Sequence, residues 1–372
     1  MTRKTSLVTG KTNLEHLYTF KKFPVFIGCT DSPRSKDIRA DMIFDICRDT
    51  GFIQLRKLLN PDLVYSSYHS EAVGGIWAQH HDQFCNFVRK FNPRTIIEIG
   101  GSNGYIAQKL TSIVSKSHVT MVEPNPAFPG NKRIKVIKAF FDDKFKLQEN
   151  FDTMIHSHVW EHLYDPVAAL SHMRDFLPVG AKLTFSIPNL RLWLKNKFPN
   201  TLNFEHTVYL TEEIADFLLS RHQFKILEKS YFQEHSIFYA AQKIKNPPRL
   251  AKLPNRYFEN KREYLEFVKY YQDMVNNFNQ KIASFPGPVY LFGAHIFSQM
   301  FVELDLKEKY ITAILDDSQA KLGKRLYGSS LKVSNPQIIS GQDKVAVILR
   351  AGAYTESVRS RLLAINPHTT IL

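Results

Sequence analysis

The chain has 372 residues, of which 44% are hydrophobic and 23% are charged, and it carries a formal net charge of +14. This balance is typical of globular domains and excludes a disordered or collagen-like polypeptide, and no apolar run approaches the roughly 18–20 residues of a membrane-spanning helix. The basic N-terminus lacks the apolar stretch and cleavage site of a signal peptide, so we predict a cytoplasmic location.

Patterns along the chain indicate four parts. Residues 1–75 carry few periodic signals and form a small N-terminal block, and residues 76–245 alternate strand-like and helix-like patterns. A helical linker is predicted over 246–285, before a second strand and helix alternation over 286–372. The fold class is therefore predicted as α/β, with a doubly wound parallel sheet in the middle part and a Rossmann-like α/β domain at the C-terminus.

The middle part opens with a helix and continues with a regular series of strands. The first strand, TIIEI at residues 95–99, is almost continuously apolar and β-branched, as expected of a buried parallel strand. Three further strands are predicted in HVTMVEP, KVIKAFF and FDTMIHSHVWEHL, and a fifth in AKLTFSIPN. This order places the ends of several strands at one edge of the sheet, where doubly wound folds bind their ligands.

A glycine-rich loop, EIGGSNG, follows the first strand. Gly100, Gly101 and Gly104 allow a tight turn and the close approach of a ligand, and Ser102 interrupts the GxGxxG spacing of dinucleotide-binding loops. Glu98 stands just before the loop, where a carboxylate accepts from a ligand ammonium and repels a pyrophosphate. We therefore predict a cofactor site built from this loop and Glu98.

Two more acids complete the predicted cofactor site. Glu123 ends the second strand, 19 residues after Gly104, where a carboxylate can accept from both ribose hydroxyls of an adenosine ligand. Asp142 follows the third strand and is a candidate for the adenine amine, although a turn residue is nearly as good an interpretation.

The cysteines predict neither a disulfide framework nor a metal site. They are few and far apart, at Cys29, Cys47 and Cys85. A mixed site with His69, His80 or His81 is the weaker alternative to free thiols, so no metal is predicted.

The loop EIGGSNGYIAQKL, together with VEP, FDTMIHSHVWEHLYDP and SIPN, resembles class I S-adenosylmethionine-dependent methyltransferases. The segments DICRDTGFIQL and NPDLVYSSYHSE also resemble the N-terminal block of the sugar C-methyltransferases that act on nucleotide-linked keto-deoxysugars. Those enzymes usually carry a cysteine-rich zinc module there. This chain keeps Cys47 but has Thr50 in place of the second cysteine, so the resemblance implies a degenerate module.

Two further segments extend the resemblance. NFEHTVYLT, at residues 203–211, is similar to the family's Tyr-His-Glu-His segment, with Glu205 and His206 kept but Asn203 and Phe204 in the first two positions. The C-terminal part, including VYLFGAHIFSQMF, resembles the Rossmann-like domain that ends these enzymes and helps to bind the nucleotide-sugar.

The resemblance implies methyl transfer from S-adenosyl-L-methionine, most directly to carbon. Such a reaction needs a base that removes a proton beside a carbonyl, and histidine suits this role because its ordinary pKa lies near neutrality. We predict His206 as the base, Glu205 as its orienting partner and His162 as a further catalytic residue. Tyr65 and Tyr68 are candidates for substrate contact from the N-terminal block, although burial explains them equally well.

Other functions stay open at this stage. An anionic small molecule such as a nucleotide-sugar fits the positive charge, as does a solvated basic surface. O- or N-methylation needs no enolising base, and a non-catalytic binding protein would retain the pocket without the base. The acid at Glu98 and the loop spacing speak against a nicotinamide oxidoreductase. No nucleic-acid partner is expected, because no base-methylation motif or RNA-binding module is evident.

Overall fold

The computed structural model describes residues 1–64 and 75–372. The predicted substrate residues Tyr65 and Tyr68 lie outside the described residues. Within the described ranges, no helix combines the length and the apolarity that crossing a membrane requires.

The N-terminal part is built around an antiparallel sheet. Its elements are β1 (Leu14–Pro24), β2 (Cys29–Thr30), β3 (Arg39–Cys47), β4 (Ile53–Leu55) and α1 (Pro61–Val64). Strands β1, β3 and β4 pair in that order. The edge of β4 is covered by a later segment, since Leu55 N donates to Thr207 O at 2.8 Å and Tyr209 N donates to Ile53 O at 2.8 Å. The N-terminal sheet therefore holds residues 207–209 in place.

The middle part is the doubly wound domain. Its elements are α2 (Gly75–Arg89), β5 (Thr95–Ile99), α3 (Tyr105–Ile113), β6 (His118–Val122), β7 (Ile134–Ile137), β8 (Thr153–Ser157), α4 (Pro166–Phe176), β9 (Lys182–Pro188), α5 (Leu190–Lys195), α6 (Glu212–Arg221), β10 (Phe224–Phe232) and β11 (Ser236–Lys243).

Among the described residues, these strands form one seven-stranded sheet in the order β10-β11-β9-β8-β5-β6-β7. The strands from β7 to β9 are parallel, while β11 and β10 are antiparallel at the edge. Ile97 and Met154 in the central strands are fully buried, as expected of a parallel sheet covered on both faces. This confirms the predicted fold class. The strand order reverses between β5 and β8, which marks the ligand-binding crevice at their carboxyl ends.

The C-terminal part contains a long helix and a second parallel sheet. Its elements are α7 (Tyr257–Ala283), β12 (Val289–Phe292), α8 (Ile296–Glu303), β13 (Ala313–Leu315), β14 (Arg325–Leu326), β15 (Val333–Ser334), β16 (Val345–Leu349), α9 (Thr355–Ile365) and β17 (Thr369–Ile371). The sheet order β15-β13-β12-β16-β17 reverses at β12, which gives this sheet a crevice of its own.

Helix α7 and a short strand pair join the parts of the chain. The buried ring of Tyr264 in α7 packs edge-on to Phe44 of β3, with centroids 5.7 Å apart, and Tyr271 contacts Phe301 of α8. Strand β14 pairs with β2, and the Arg325 guanidinium donates to both carboxylate oxygens of Asp37, at 2.8 and 2.5 Å. The segment predicted as a linker is thus part of the hydrophobic core.

Replacing Gly51 with alanine is expected to destabilise the protein by a few kcal/mol. Gly51 has φ +76°, and an added Cβ would lie 2.5–2.7 Å from the backbone of Arg256 and Tyr257 at the start of α7. Left-handed strain costs about 1–2 kcal/mol and overpacking about 1–3 kcal/mol more. Gly10→Ala is the matched control, because Gly10 has φ +72° and nothing within 4 Å. Equal losses in chemical denaturation for the two variants would contradict the role of the clash.

Candidate active site

The glycine loop forms a tight connection between β5 and α3. Gly100 has φ +74° and Gly104 φ +73°, a conformation that favours glycine. Gly100 N donates to Val122 O at 2.9 Å, which fixes the loop to the end of β6. A Cβ on Gly101 would collide with the Met121 side chain and come within 3.2 Å of the Glu98 carboxyl carbon. The absence of a side chain at Gly101 therefore lets the loop pack directly against Met121 and Glu98.

Glu123 stands beside this loop at the end of β6, as predicted for a ribose-binding acid. Its carboxylate oxygens accept from Ser102 N at 3.1 Å and from Asn125 N at 2.9 Å. The half-buried carboxylate thus faces the glycine loop and holds it in shape. A ligand hydroxyl would share these oxygens with the backbone donors.

Glu98 lies at the bottom of the site. Its side chain is 2% exposed, and its Oε2 atom has no protein hydrogen-bond partner among the described residues. Burial, and secondarily the negative charge of Glu123, raises the pKa of the Glu98 carboxyl to about 8. A buried carboxyl with an unpaired oxygen fits a cationic ligand group, and the half-buried Glu123 carboxylate beside the loop fits ligand hydroxyls. The residues present therefore suit an amino-acid-containing adenosine cofactor.

Asp142 is placed differently. It is exposed in a turn after β7, and its Oδ1 accepts from Lys144 N at 3.0 Å. This arrangement is that of a turn residue, the alternative that its sequence position also allowed. Its contact with an adenine amine stays a prediction.

Two of the predicted catalytic histidines meet at the carboxyl edge of the sheet. The rings of His162 and His206 are 4.7 Å apart in an edge-on arrangement. His162 ends a short 3₁₀ turn after β8, whereas His206 comes from the segment attached to the N-terminal sheet. Although His206 is buried, its Nδ1 atom has no hydrogen-bond partner in the described part of the chain. The pair thus brings together residues 44 positions apart in the sequence.

Asn203 explains one departure from the family pattern. Its Oδ1 accepts from Glu205 N at 2.7 Å and from His206 N at 2.9 Å, and its own N donates to His206 O at 3.2 Å. This side-chain turn fixes the backbone that carries His206. Phe204 is buried in the core. Both replacements therefore have structural roles beside the histidine pair.

The carboxylate beside the histidine pair is that of Glu161, which the sequence reasoning missed. Glu161 is completely buried, and one carboxylate oxygen lies within 4.8 Å of ligand nitrogens on both His162 and His206. The charge of Glu205 acts on the half-buried His295, whose pKa burial lowers to about 4, and the predicted role of Glu205 beside His206 stays a prediction. The sequence did contain a signal for Glu161, since it directly precedes the predicted catalytic residue His162. A short 3₁₀ turn keeps such neighbours together at the carboxyl edge of the sheet.

The crevice of the C-terminal sheet faces the same region. Phe198, after α5, contacts Phe297 of α8 with centroids 6.2 Å apart, and Arg350 Nη2 donates to Asn196 O at 3.1 Å. Phe297 and Arg350 follow β12 and β16, so the carboxyl ends of both parallel sheets approach each other. The segment from α5 to His206 lies between them.

Asp316 closes a turn in the C-terminal crevice. Its carboxylate accepts from Ala294 N, Ser318 N and Lys321 Nζ, each at 2.9 Å. These donors hold the loop after β12 against the loop after β13. The Asp316 carboxylate therefore has a structural role in this turn.

Comparison with known proteins identifies the middle domain. Residues 76–244 match a family model described as a methyltransferase domain. No curated protein matches the chain. The family match and the fitting cofactor site confirm the predicted enzyme class and cofactor: the domain is a methyltransferase domain that uses S-adenosylmethionine.

Solved methyltransferase structures match a little under half of the chain. The N-methyltransferase NodS from Bradyrhizobium japonicum WM9, in complex with S-adenosyl-L-homocysteine, is 16% identical with a TM-score of 0.36, over 46% of this chain and 89% of that chain. An O-methyltransferase family protein from Burkholderia thailandensis is 9% identical (TM-score 0.37; 45% and 57% covered). A SAM-dependent methyltransferase from Aquifex aeolicus is 15% identical (TM-score 0.35; 43% and 89%). At these values none of these likenesses decides a substrate.

Proposed function

We propose that the chain transfers the methyl group of S-adenosylmethionine to a carbon atom of a nucleotide-linked keto sugar, with His206 as the base. The observation that carries this proposal is the pairing of His162 and His206, 4.7 Å apart, at the carboxyl edge of the cofactor-binding sheet. S-adenosylmethionine supplies an electrophilic methyl group when bound, and the remaining steps fall to side chains of this chain.

The histidine pair suits proton removal from carbon. His206 Nδ1 has no protein partner in the described ranges, so it can accept the proton beside the sugar carbonyl. The electron pair of that C–H bond would then form the bond to the methyl group while the methyl–sulfur bond breaks and leaves its electron pair on the sulfur, and the proton would stay on the imidazole. Glu161, buried beside both rings, stabilises the imidazolium that results. His162 positions the ring of His206 through their edge-on contact.

The nucleotide part of the substrate fits the C-terminal crevice. The two sheet edges meet through Phe198 and Phe297, so one extended molecule can reach both. A sugar bound at His206 would direct its diphosphate toward the loop after β12 and the start of α8, where backbone N–H groups favour anions. The net charge of +14 favours such a polyanionic substrate.

Solvent exchange tests the reaction whichever product is formed. The full chain, S-adenosylhomocysteine and a nucleotide-linked keto-deoxysugar are combined in D₂O, and the sugar is analysed by mass spectrometry and NMR. We expect deuterium at the carbon beside the carbonyl, and a new C-methyl group when S-adenosylmethionine replaces S-adenosylhomocysteine. Methylation of oxygen or nitrogen without exchange would overturn carbon methylation. Cofactor binding without turnover of any nucleotide-sugar would overturn the substrate class.

A further inference from the structure

A second histidine cluster lies beside the catalytic pair, has its own three imidazoles and shares the neighbouring Glu161 with it. His80 comes from α2, His158 follows β8, and His235 lies in the turn between β10 and β11. The ring centroid of His80 lies 5.1 Å from that of His158 and 5.5 Å from that of His235. One nitrogen from each ring can be chosen so that all three atoms lie within 4.8 Å of one another. Three separate elements thus direct imidazole nitrogens to one point.

The buried and unpartnered imidazole of His80 indicates a bound ligand. Its side chain is 0% exposed, and neither ring nitrogen has a hydrogen-bond partner among the described residues. A buried polar group without a partner costs about 1–3 kcal/mol. An apolar residue at this position of α2 would avoid that cost. The imidazole is therefore explained best by a group that is not part of the protein chain.

The other two histidines have the surroundings of metal ligands. Ser236 Oγ is 2.8 Å from His158 Nε2 and 2.6 Å from His235 Nδ1. Glu161 Oε1 lies 3.3 Å from His158 Nδ1, the carboxylate–histidine arrangement that orients and polarises a ligating imidazole. His158 also has φ +53°, a left-handed conformation that is unfavourable for a histidine, and its N donates to Ser186 O at 3.0 Å. This backbone strain directs the ring into the cluster.

We propose that His80, His158 and His235 bind a divalent transition-metal ion of the zinc class. Zinc–nitrogen distances of about 2.0–2.1 Å in a tetrahedral site put the ligand nitrogens about 3.3 Å apart, so binding would draw the three rings together from their present spacing of up to 4.8 Å. Three imidazoles leave the fourth position for water or a substrate oxygen. Cys85, in the same helix as His80, directs its thiol to Ile106 O instead. The site is therefore made of histidines, unlike the mixed cysteine site considered from the sequence.

The neighbouring group of Glu161, His162 and His206 also has ligand spacing, so the experiment must separate the two clusters. Tag-free full-length protein is stripped with a chelator and titrated with Zn²⁺ and, separately, Co²⁺. Bound metal is measured by mass spectrometry, and Co²⁺ geometry by its visible absorption. The variants are His80→Gln, His235→Gln and His206→Gln, with His118→Gln as the control at an exposed position in β6.

We expect one equivalent of metal, with a tetrahedral Co²⁺ spectrum, in the wild type, His118→Gln and His206→Gln. His80→Gln and His235→Gln should bind at least about tenfold more weakly, and Glu161→Gln about 10- to 100-fold more weakly. His235 lies in a half-buried turn, whereas His80 is fully buried in a helix. The His235→Gln variant therefore tests the metal site if His80→Gln does not fold. Loss of metal only in His206→Gln, or weak binding that no variant changes, would overturn the proposal. Neither result depends on the methyl acceptor.

Discussion

Replacing His206 with glutamine is expected to lower turnover about 10²- to 10⁴-fold, the usual contribution of a general base. Glutamine keeps a hydrogen-bonding side chain of similar reach but cannot take up a proton at neutral pH. The glycine loop, Glu98 and Glu123 are untouched by this change, so calorimetry should show unchanged affinity for S-adenosylmethionine. Deuterium exchange into the sugar should fall together with turnover, because both depend on removal of the same proton.

The control for this variant is His222→Gln. His222 is also buried in the methyltransferase domain, but it follows α6 and its Nδ1 lies 2.7 Å from Leu218 O. We expect wild-type turnover from this variant in any preparation that folds. If His206→Gln keeps full activity, His206 is not the base. If His206→Gln loses activity but retains deuterium exchange, the residue acts after proton removal.

The parallel core and the cofactor loop could be predicted because their signals are local. An apolar β-branched strand such as Thr95–Ile99 is recognisable within five residues, and the loop that follows places Gly100 and Gly104 where positive φ is required. Glu98 and Glu123 then follow from their positions at the ends of parallel strands. The antiparallel strands β10 and β11 lack such a signal, since exposed and buried positions alternate irregularly in β10.

The approach of Glu161 to His206 could not be predicted, because it depends on tertiary contacts. Neighbours in sequence suggested Glu205 as the orienting partner, which stays a prediction, and the N-terminal sheet also fixes the segment so that the buried Glu161 approaches the ring. The cluster of His80, His158 and His235 brings together residues more than 150 positions apart. No periodicity relates a helix, a strand end and a hairpin turn. Such sites become visible only once the sheet order places their elements side by side.

Replacing Glu98 with glutamine is expected to remove a pH-dependent loss of stability in the ligand-free protein. Burial and Glu123 raise the pKa of Glu98 from 4.5 to about 8. Between these values the folded protein holds a proton that the unfolded chain has released, so stability falls as the pH rises. The contribution is complete below pH 4.5 and is lost through pH 8, with a total on the order of 5 kcal/mol. Glutamine has no such proton to lose.

Chemical denaturation at a series of pH values from about 5 to 9 measures this effect. The wild type and the control Glu228→Gln, a surface position paired with Lys90, should both lose stability over this range. Glu98→Gln should give a flatter profile and exceed the wild type at the alkaline end. Parallel profiles for all three proteins would show that Glu98 is ionised in the folded state at neutral pH.

The same proton links Glu98 to the cofactor. If the carboxylate accepts from the amino group of S-adenosylmethionine, binding near pH 7 must release the proton that Glu98 holds, because a protonated carboxyl cannot form the ion pair. Calorimetry in buffers of different ionisation enthalpy should therefore detect close to one proton released by the wild type. Glu98→Gln should release none and bind roughly ten- to a hundredfold more weakly, since a hydrogen bond to a charged group contributes about 1.5–3 kcal/mol. Equal proton release by both proteins would place the cofactor's amino group elsewhere in the site. The raised pKa of Glu98 thus has a functional consequence. Without the cofactor, Glu98 is a neutral acid at pH 7, and it becomes a carboxylate when the positively charged amino group of the cofactor binds.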